Sequence, residues 1–415
     1  MRSHRETATT AMTIRPYFAS TLTRREALRL FSALGLGVGA ACRNGAAPAS
    51  KEGAASGTSV APQPGTPSFP QGAIIRTILG DLPPSALTKA TLFHEHLTLG
   101  FAYYTSPPMP IRGLDVKPTP EDTARFIELV SDEMRMAAAD GVGCIVDAAL
   151  GRRPDGQLDN LRALAKQSNV HVVVAGGYYG APYPKTVIGM SESQIADELV
   201  ADAAAQRWGA FGEIGTSKPM HADERKFLTA LSQAQKRTGI PIFTHTPHDG
   251  CPSCALEQLD LYEAQGVKPG SLCIGHLSDI TTEQDATSET HKAIARRGAF
   301  LGFDTVGRAL GGAKPGTPGK LPPEFRDVPD RDKVRRLLAV LEAGFEDHVL
   351  LSCDFSSSFD LKSNWGAGFS AALVHFVPKL RHAGVGEATL QKMLVDNPRR
   401  FLAFVPAPST GKVQS

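Results

Sequence analysis

The sequence predicts a (β/α)8 TIM barrel, an α/β fold in which eight parallel strands alternate with helices. Three observations lead there. Short apolar runs recur near Thr91, Cys144, Val170, Ala210, Ile242, Leu272, Phe300 and Val349, which makes eight strand candidates within residues 73–415. Amphipathic helical segments lie between them, and strands that alternate with helices make a parallel sheet with helical crossovers. Residues able to hold a metal stand at or just beyond the ends of runs one, four, five, six and eight, where such a barrel collects its chemistry.

Residues 1–42 read as a twin-arginine-type export signal. Thr23-Arg24-Arg25-Glu26-Ala27-Leu28 is followed by the apolar stretch from Leu30 to Ala41, too short for a comfortable membrane span. Ala47-Pro48-Ala49 offers small residues for cleavage; the alternative is lipid attachment at Cys42, the one route that would tie the protein to a membrane. Residues 43–72 are rich in Ala, Gly, Pro and Ser and bury too little apolar surface to offset their ordering entropy, so they read as a flexible linker. The expected location is the periplasm, and the expected folded unit is 73–415.

The first barrel strand carries Thr91-Leu92-Phe93-His94-Glu95-His96-Leu97. Side chains alternate along a strand, so His94 and His96 point one way and Glu95 the other, and two converging imidazoles suit a divalent metal. Tyr178 and Tyr179 follow the third run and are placed to line the pocket, or else to pack as aromatics at the barrel rim. Glu213 ends Gly209-Ala210-Phe211-Gly212, and a helix from Pro219 to Arg237, with Phe227, Leu231 and Ala234 on one face, stops at Gly239. His245 ends Ile240-Pro241-Ile242-Phe243-Thr244, and His276 follows Ser271-Leu272-Cys273-Ile274-Gly275. After the seventh run, Arg308 opens a Gly- and Pro-rich loop from Gly307 to Pro329, positioned to meet an anionic substrate group or to form a surface ion pair. A helix from Asp330 to Glu342 presents Val334, Leu337, Leu338 and Leu341, and Asp354 follows Val349-Leu350-Leu351-Ser352-Cys353.

Four histidines, one glutamate and one aspartate exceed what one tetrahedral metal needs. They suit two divalent ions, with Glu213 between them, His94, His96 and Asp354 completing one site, and His245 and His276 the other. Nitrogen and oxygen donors without thiolate favour zinc, with manganese, cobalt and iron as the alternatives. Such a pair yields a metal-bridging hydroxide at neutral pH and polarises an electrophile, so the expected reaction is hydrolysis of an ester, lactone, amide or phosphoester. Asp354 is assigned two roles, metal ligand and general base.

Composition narrows the partners. A formal net charge of +2 and a pI near 8.2 give no field that would draw nucleic acid, and Arg152-Arg153 and Arg399-Arg400 read as solvated pairs. The expected partner is a small-molecule substrate. Of six cysteines, Cys42 lies in the leader, and Cys144, Cys273 and Cys353 sit within apolar strands as small hydrophobes. Cys251-Pro252-Ser253-Cys254 suits a disulfide or two free thiols better than a structural zinc.

His94-Glu95-His96-Leu97, Gly212-Glu213-Ile214-Gly215-Thr216-Ser217, Gly239-Ile240-Pro241-Ile242-Phe243-Thr244-His245-Thr246, Gly275-His276, Phe303-Asp304-Thr305-Val306-Gly307-Arg308, Leu351-Ser352-Cys353-Asp354 and Asn397-Pro398 fall in order along the whole folded unit. In this the chain resembles the phosphotriesterase family of the amidohydrolase superfamily. The resemblance implies a TIM barrel, a two-metal centre, hydrolase activity and a homodimer, and it carries metal roles onto His94, His96, Glu213, His245, His276 and Asp354. Two departures matter. The best-studied phosphotriesterases bridge their metals with a carboxylated lysine, whereas here Glu213 stands at that position, as in a phosphotriesterase-homology subgroup; Lys218 is the fallback for carboxylation. Those enzymes also place a histidine after an aspartate where this chain has Thr305 after Asp304, with Asp279 retained, so a relay through that histidine is not expected and phosphotriester cleavage is expected to be weak. Two rival readings are a TatD-like metal-dependent deoxyribonuclease, whose signatures around the first and last strands fit less well, and a non-catalytic barrel that keeps its metal as structure, against which the retained Asp354 speaks.

Overall fold

A computed structural model describes residues 67–97, 119–148, 152–153, 156–247, 250–308, 328–355, 360–364 and 366–406. The export signal with Cys42, most of the linker and most of the loop after Arg308 lie outside the described residues. A small antiparallel pair that the sequence did not signal, β1 (Ile75–Arg76) and β2 (Asp81–Leu82), comes first. Eight parallel strands follow: β3 (Ala90–Glu95), β4 (Val142–Asp147), β5 (His171–Gly176), β6 (Trp208–Gly215), β7 (Ile242–His245), β8 (Leu272–Ile274), β9 (Phe300–Phe303) and β10 (Val349–Leu351). Each pairs with its neighbour in chain order. The predicted barrel is the observed one, and each predicted run contributes one strand.

Closure of the ring is made by side chains and turns as much as by a ladder. The Asp354 N–H donates to the His94 carbonyl at 3.1 Å, beyond the end of β10. The Ser352 hydroxyl accepts from the His94 N–H at 3.0 Å and lies 2.9 Å from the His94 carbonyl. First and last strands are therefore fastened at their carboxyl ends, where the candidate ligands are.

Between the strands run α1 (Pro120–Ala139), α2 (Gln157–Ser168), α3 (Lys185–Gly189), α4 (Glu192–Ala205), α5 (Ala222–Thr238), α6 (Pro252–Ala264), α7 (Glu289–Arg296) and α8 (Asp330–Glu342). The predicted face of α5 holds: Phe227, Leu231 and Ala234 are buried, and the helix ends on Gly239 at φ 76°. In α8 the buried stripe is displaced. It consists of Lys333, Arg336, Leu337 and Val340, while Val334, Leu338 and Leu341 are only partly covered. An apolar count cannot foresee a lysine on the inward face.

The core has two layers. Side chains between strands and helices form the larger one, and a smaller cluster with Phe93, Val146, Val173, Phe243, Cys273 and Leu350 is a separate apolar layer. Phe93 meets Phe243 edge to face, ring centres 6.2 Å apart. Two strands slip register just before their ligands, β3 against β4 between Leu92 and Glu95, and β6 against β7 between Phe211 and Ile214. Such slips re-aim side chains. Gly212 sits in the second slip at φ 155°, and a Cβ there would lie 2.4 Å from the Phe243 ring, so only glycine leaves room for the chain that presents Glu213.

Candidate metal centre

The six predicted ligands converge and are all buried. They fall into two groups, each with donor atoms within 4.8 Å of one another: His94, His96 and Asp354, at or just beyond the ends of β3 and β10, and Glu213, His245 and His276, in or just beyond β6, β7 and β8. Glu213 joins the groups. Its Oε1 lies 3.3 Å from His96 Nε2; its Oε2 lies 3.2 Å from His94 Nε2, 2.6 Å from His245 Nδ1 and 3.5 Å from His276 Nε2. Asp354 Oδ1 lies 3.1 Å from His96 Nε2. Lys218 is exposed on the loop beyond β6, and Glu213 holds the central position.

Behind the imidazoles stand carboxylates that orient them. Asp304 Oδ2 is 3.0 Å from His94 Nδ1 and accepts from the His276 N–H. Asp279 Oδ2 lies 3.4 Å from His276 Nδ1. Oriented this way, His94 and His276 turn Nε2 toward Glu213. Glu95, which points away from the ligands as expected, is fully buried and accepts from the Ser352 hydroxyl at 2.7 Å and from the Cys353 and Phe355 N–H groups at 2.8 and 2.6 Å. Those bonds grip both sides of Asp354, which holds φ 47°.

Charge balance in the metal-free protein is maintained by protons. Burial works to lower the His94 pKa, but the Glu213 carboxylate and the Asp304 bond overcome it and hold the ring at about 9. His96 is held at about 10 against burial by Asp354 and Glu213. Burial would raise Asp354, yet Arg308, His96 and His94 keep it well below the usual carboxylate range. Burial pushes Glu95 up to about 7 despite its three donors. The donor set fits divalent cations: neutral imidazole and carboxylate donors, no thiolate, and a buried His94 Nε2 that makes no aligned hydrogen bond. Cations would take the places those protons occupy.

The remaining predicted residues separate. Arg308 reaches the centre: its guanidinium lies 2.7 Å from Asp354 Oδ2, and Nε donates to the Cys353 carbonyl at 2.7 Å. Tyr179 packs edge-on against the His245 ring, centres 4.9 Å apart. Tyr178 turns to Glu198, to which its hydroxyl donates at 3.0 Å, and packs on Phe227. Both tyrosines line a cleft of about 390 Å³ with Arg152, Tyr183 and Pro184. Arg153 corrects the solvated-pair reading, because it is buried and pairs with Asp147 at 2.7 Å; Arg152 is exposed. Cys251 and Cys254 form a disulfide, and Cys144, Cys273 and Cys353 are buried thiols. Sequence reasoning missed Ser352, which bonds the His94 backbone directly, and the buried Lys333, which donates to Thr305.

Comparison with known proteins identifies the family. The model described as Phosphotriesterase family matches residues 73–402. N-acetyltaurine hydrolase of Mus musculus is 28% identical over 357 residues, covering 80% of this chain and 98% of that protein. Among solved structures, a resiniferatoxin-binding protein from Rhodobacter sphaeroides superposes with TM-score 0.65 at 30% identity, over 79% of this chain and 94% of the other. A phosphotriesterase homology protein from Escherichia coli, complexed with phosphate in its active site, gives TM-score 0.60 at 26% identity, over 76% and 99%.

Proposed function

The chain belongs to the phosphotriesterase family of hydrolases, and we propose that it is a two-metal hydrolase of carboxyl esters, lactones or amides, with phosphotriesters as weak substrates. The observation that carries this reading is the pair of imidazole–carboxylate groups sharing Glu213 at the carboxyl rim of the barrel. Two divalent cations, zinc favoured, would supply an acidified water and a Lewis acid for the scissile group.

This chain's own residues do the rest. Glu213 turns Oε1 to His96 and Oε2 to His94, His245 and His276, so it would serve both half-sites, and Asp304 keeps His94 and His276 facing it. Asp354 accepts the proton given up as the nucleophile adds, while Arg308 holds its Oδ2 and keeps the carboxylate ionised and aimed. Tyr179, above His245, is placed to donate a hydrogen bond to the substrate, and Arg308 to meet an anionic end of it. Thr305 offers a hydroxyl where a triesterase relay needs an imidazole. The name of the mouse relative adds N-acyl amides to the substrates worth testing. In the same reading the protein is exported to the periplasm and works as a homodimer.

The test is a screen of zinc-reconstituted protein against lactones, carboxyl esters, N-acyl amides and phosphotriesters. The expected result is turnover of a carbonyl substrate that a chelator abolishes and zinc restores, with phosphotriesters slower. A folded, metal-loaded protein without chelator-sensitive turnover, or one that favours phosphotriesters, defeats the proposal.

A further inference from the structure

Lys333 lies in α8, remote in sequence from every ligand, and is 1% exposed. A buried ammonium is costly unless it is bonded and paired. Its Nζ donates to the Thr305 carbonyl at 2.5 Å and to the Thr305 hydroxyl at 2.9 Å. That hydroxyl donates to Asp279 Oδ1 at 2.6 Å, and with its one proton so used it accepts from the Ser278 hydroxyl at 2.8 Å. Both lone pairs and the proton of Thr305 are thereby committed. The other oxygen of Asp279 faces His276 Nδ1 at 3.4 Å.

His276 needs such support. It stands at φ 53°, beyond the end of β8, where no ladder fixes its direction. Its N–H is held by Asp304, whose Oδ1 also stands 3.6 Å from Nδ1, and Asp279 Oδ2 faces the same ring nitrogen at 3.4 Å. We propose that Lys333 is a positioning residue for the second half-site, acting through Thr305 and Asp279 to hold His276 with Nε2 toward Glu213. The proposal rests on the metal-centre reading above. It also accounts for Thr305, whose hydroxyl passes orientation from a fixed cation to a metal ligand, in the place where the resemblance led one to look for a relay histidine. An ammonium built into the chain anchors Asp279 without any proton having to move.

The experiment is zinc titration of the metal-free protein against a chromophoric chelator, resolving two dissociation constants. Wild type is compared with Lys333→Met, Thr305→Val and Thr305→Ser. Loss of an orienting partner behind a ligand typically weakens metal binding about 10–100-fold. Lys333→Met and Thr305→Val are expected to weaken one constant by that factor and leave the other unchanged, while Thr305→Ser, which keeps the hydroxyl, stays near wild type. Unchanged constants in folded Lys333→Met, or equal weakening of both, overturn the proposal. Should Lys333→Met fail to fold, Thr305→Val decides by the same two outcomes. Wild-type protein that binds two zinc ions but hydrolyses nothing would sink the functional reading and leave this one standing; unchanged constants in the variants of an active enzyme do the reverse.

Discussion

The two halves of the proposed metal centre are fastened to different parts of the barrel. His94, His96 and Asp354 are tied across the closing seam of the barrel: Asp354 bonds back to the His94 carbonyl, Ser352 clasps the His94 backbone, and Glu95 gathers the N–H groups on both sides of Asp354. His245 and His276 are held by polar side chains that lie away from that seam. Gln258 donates to the His245 carbonyl at 2.9 Å and to Thr216 at 2.8 Å, and His276 leans on Asp304 and Asp279. The first half therefore shares its fate with barrel closure, and the second is tunable by residues far from it.

Glu213 is the one group common to both halves, so its loss separates the shared part from the private ones. Glu213→Ala is expected to lose both metals and all chelator-sensitive turnover, whereas His276→Ala loses one metal. Elemental analysis of folded protein checks this; two metals retained in Glu213→Ala would show that the halves do not share a ligand. Next in size, Asp354→Asn is expected to cost about 10²–10⁴-fold in turnover, the usual worth of a proton-transfer group, with the fold retained. Near-normal turnover at normal metal content would reduce Asp354 to a structural member of the first half.

Metal removal sharpens the comparison through pH. In the metal-free protein His94 is raised to about 9 and His96 to about 10 from an ordinary 6.5. Raised folded-state values contribute stability that is complete below the unfolded pKa and is lost as pH rises through the folded ones. The melting temperature of metal-free protein is expected to fall between about pH 6.5 and 10, and that of zinc-loaded protein, in which those protons are gone, to fall less. Parallel profiles would contradict the proton-for-metal exchange.

Glu95 tests the main-chain mesh alone. Glu95→Gln keeps one oxygen but replaces an acceptor with a donor opposite buried N–H groups, and an unsatisfied buried group costs about 1–3 kcal/mol. Denaturant unfolding of the metal-free variant is expected to show a loss of that size. An unchanged midpoint would mean that barrel closure does not depend on this carboxylate.

Much of this was legible in the sequence. Candidate ligands announce themselves because metal chemistry admits few residue types and strand ends fix where they stand; order and spacing were enough to single out His94, His96, Glu213, His245, His276 and Asp354, which the fold brings together. What was illegible depends on who faces whom. Lys333 reads as one more charge on an amphipathic helix, and Arg153 as half of a solvated pair, since nothing local records the carboxylate or carbonyl that awaits them. The register slips that aim His94 and Glu213 are equally silent, except for Gly212, whose missing Cβ is the one trace left in the residues themselves.

The smallest expected effect lies in two adjacent tyrosines that the sequence could not tell apart. Tyr179 packs on His245, and burial with Glu213 and Asp354 nearby raises its hydroxyl pKa, so it keeps its proton and can donate it in a hydrogen bond. Tyr178 spends its hydroxyl on Glu198, with burial and that carboxylate raising its pKa to about 12. A neutral hydrogen bond is worth about 0.5–1.5 kcal/mol, so Tyr179→Phe is expected to lower kcat/KM by about tenfold or less. Tyr178→Phe is expected to leave kcat/KM alone and to cost stability within the same range. In the proposed reading the half-sites differ here too: the first would meet the substrate through Arg308, the second through one tyrosine of the pair. Equal kinetic losses in both variants would show that the cleft acts as one aromatic wall, and a larger loss from Tyr178 would move the substrate away from His245.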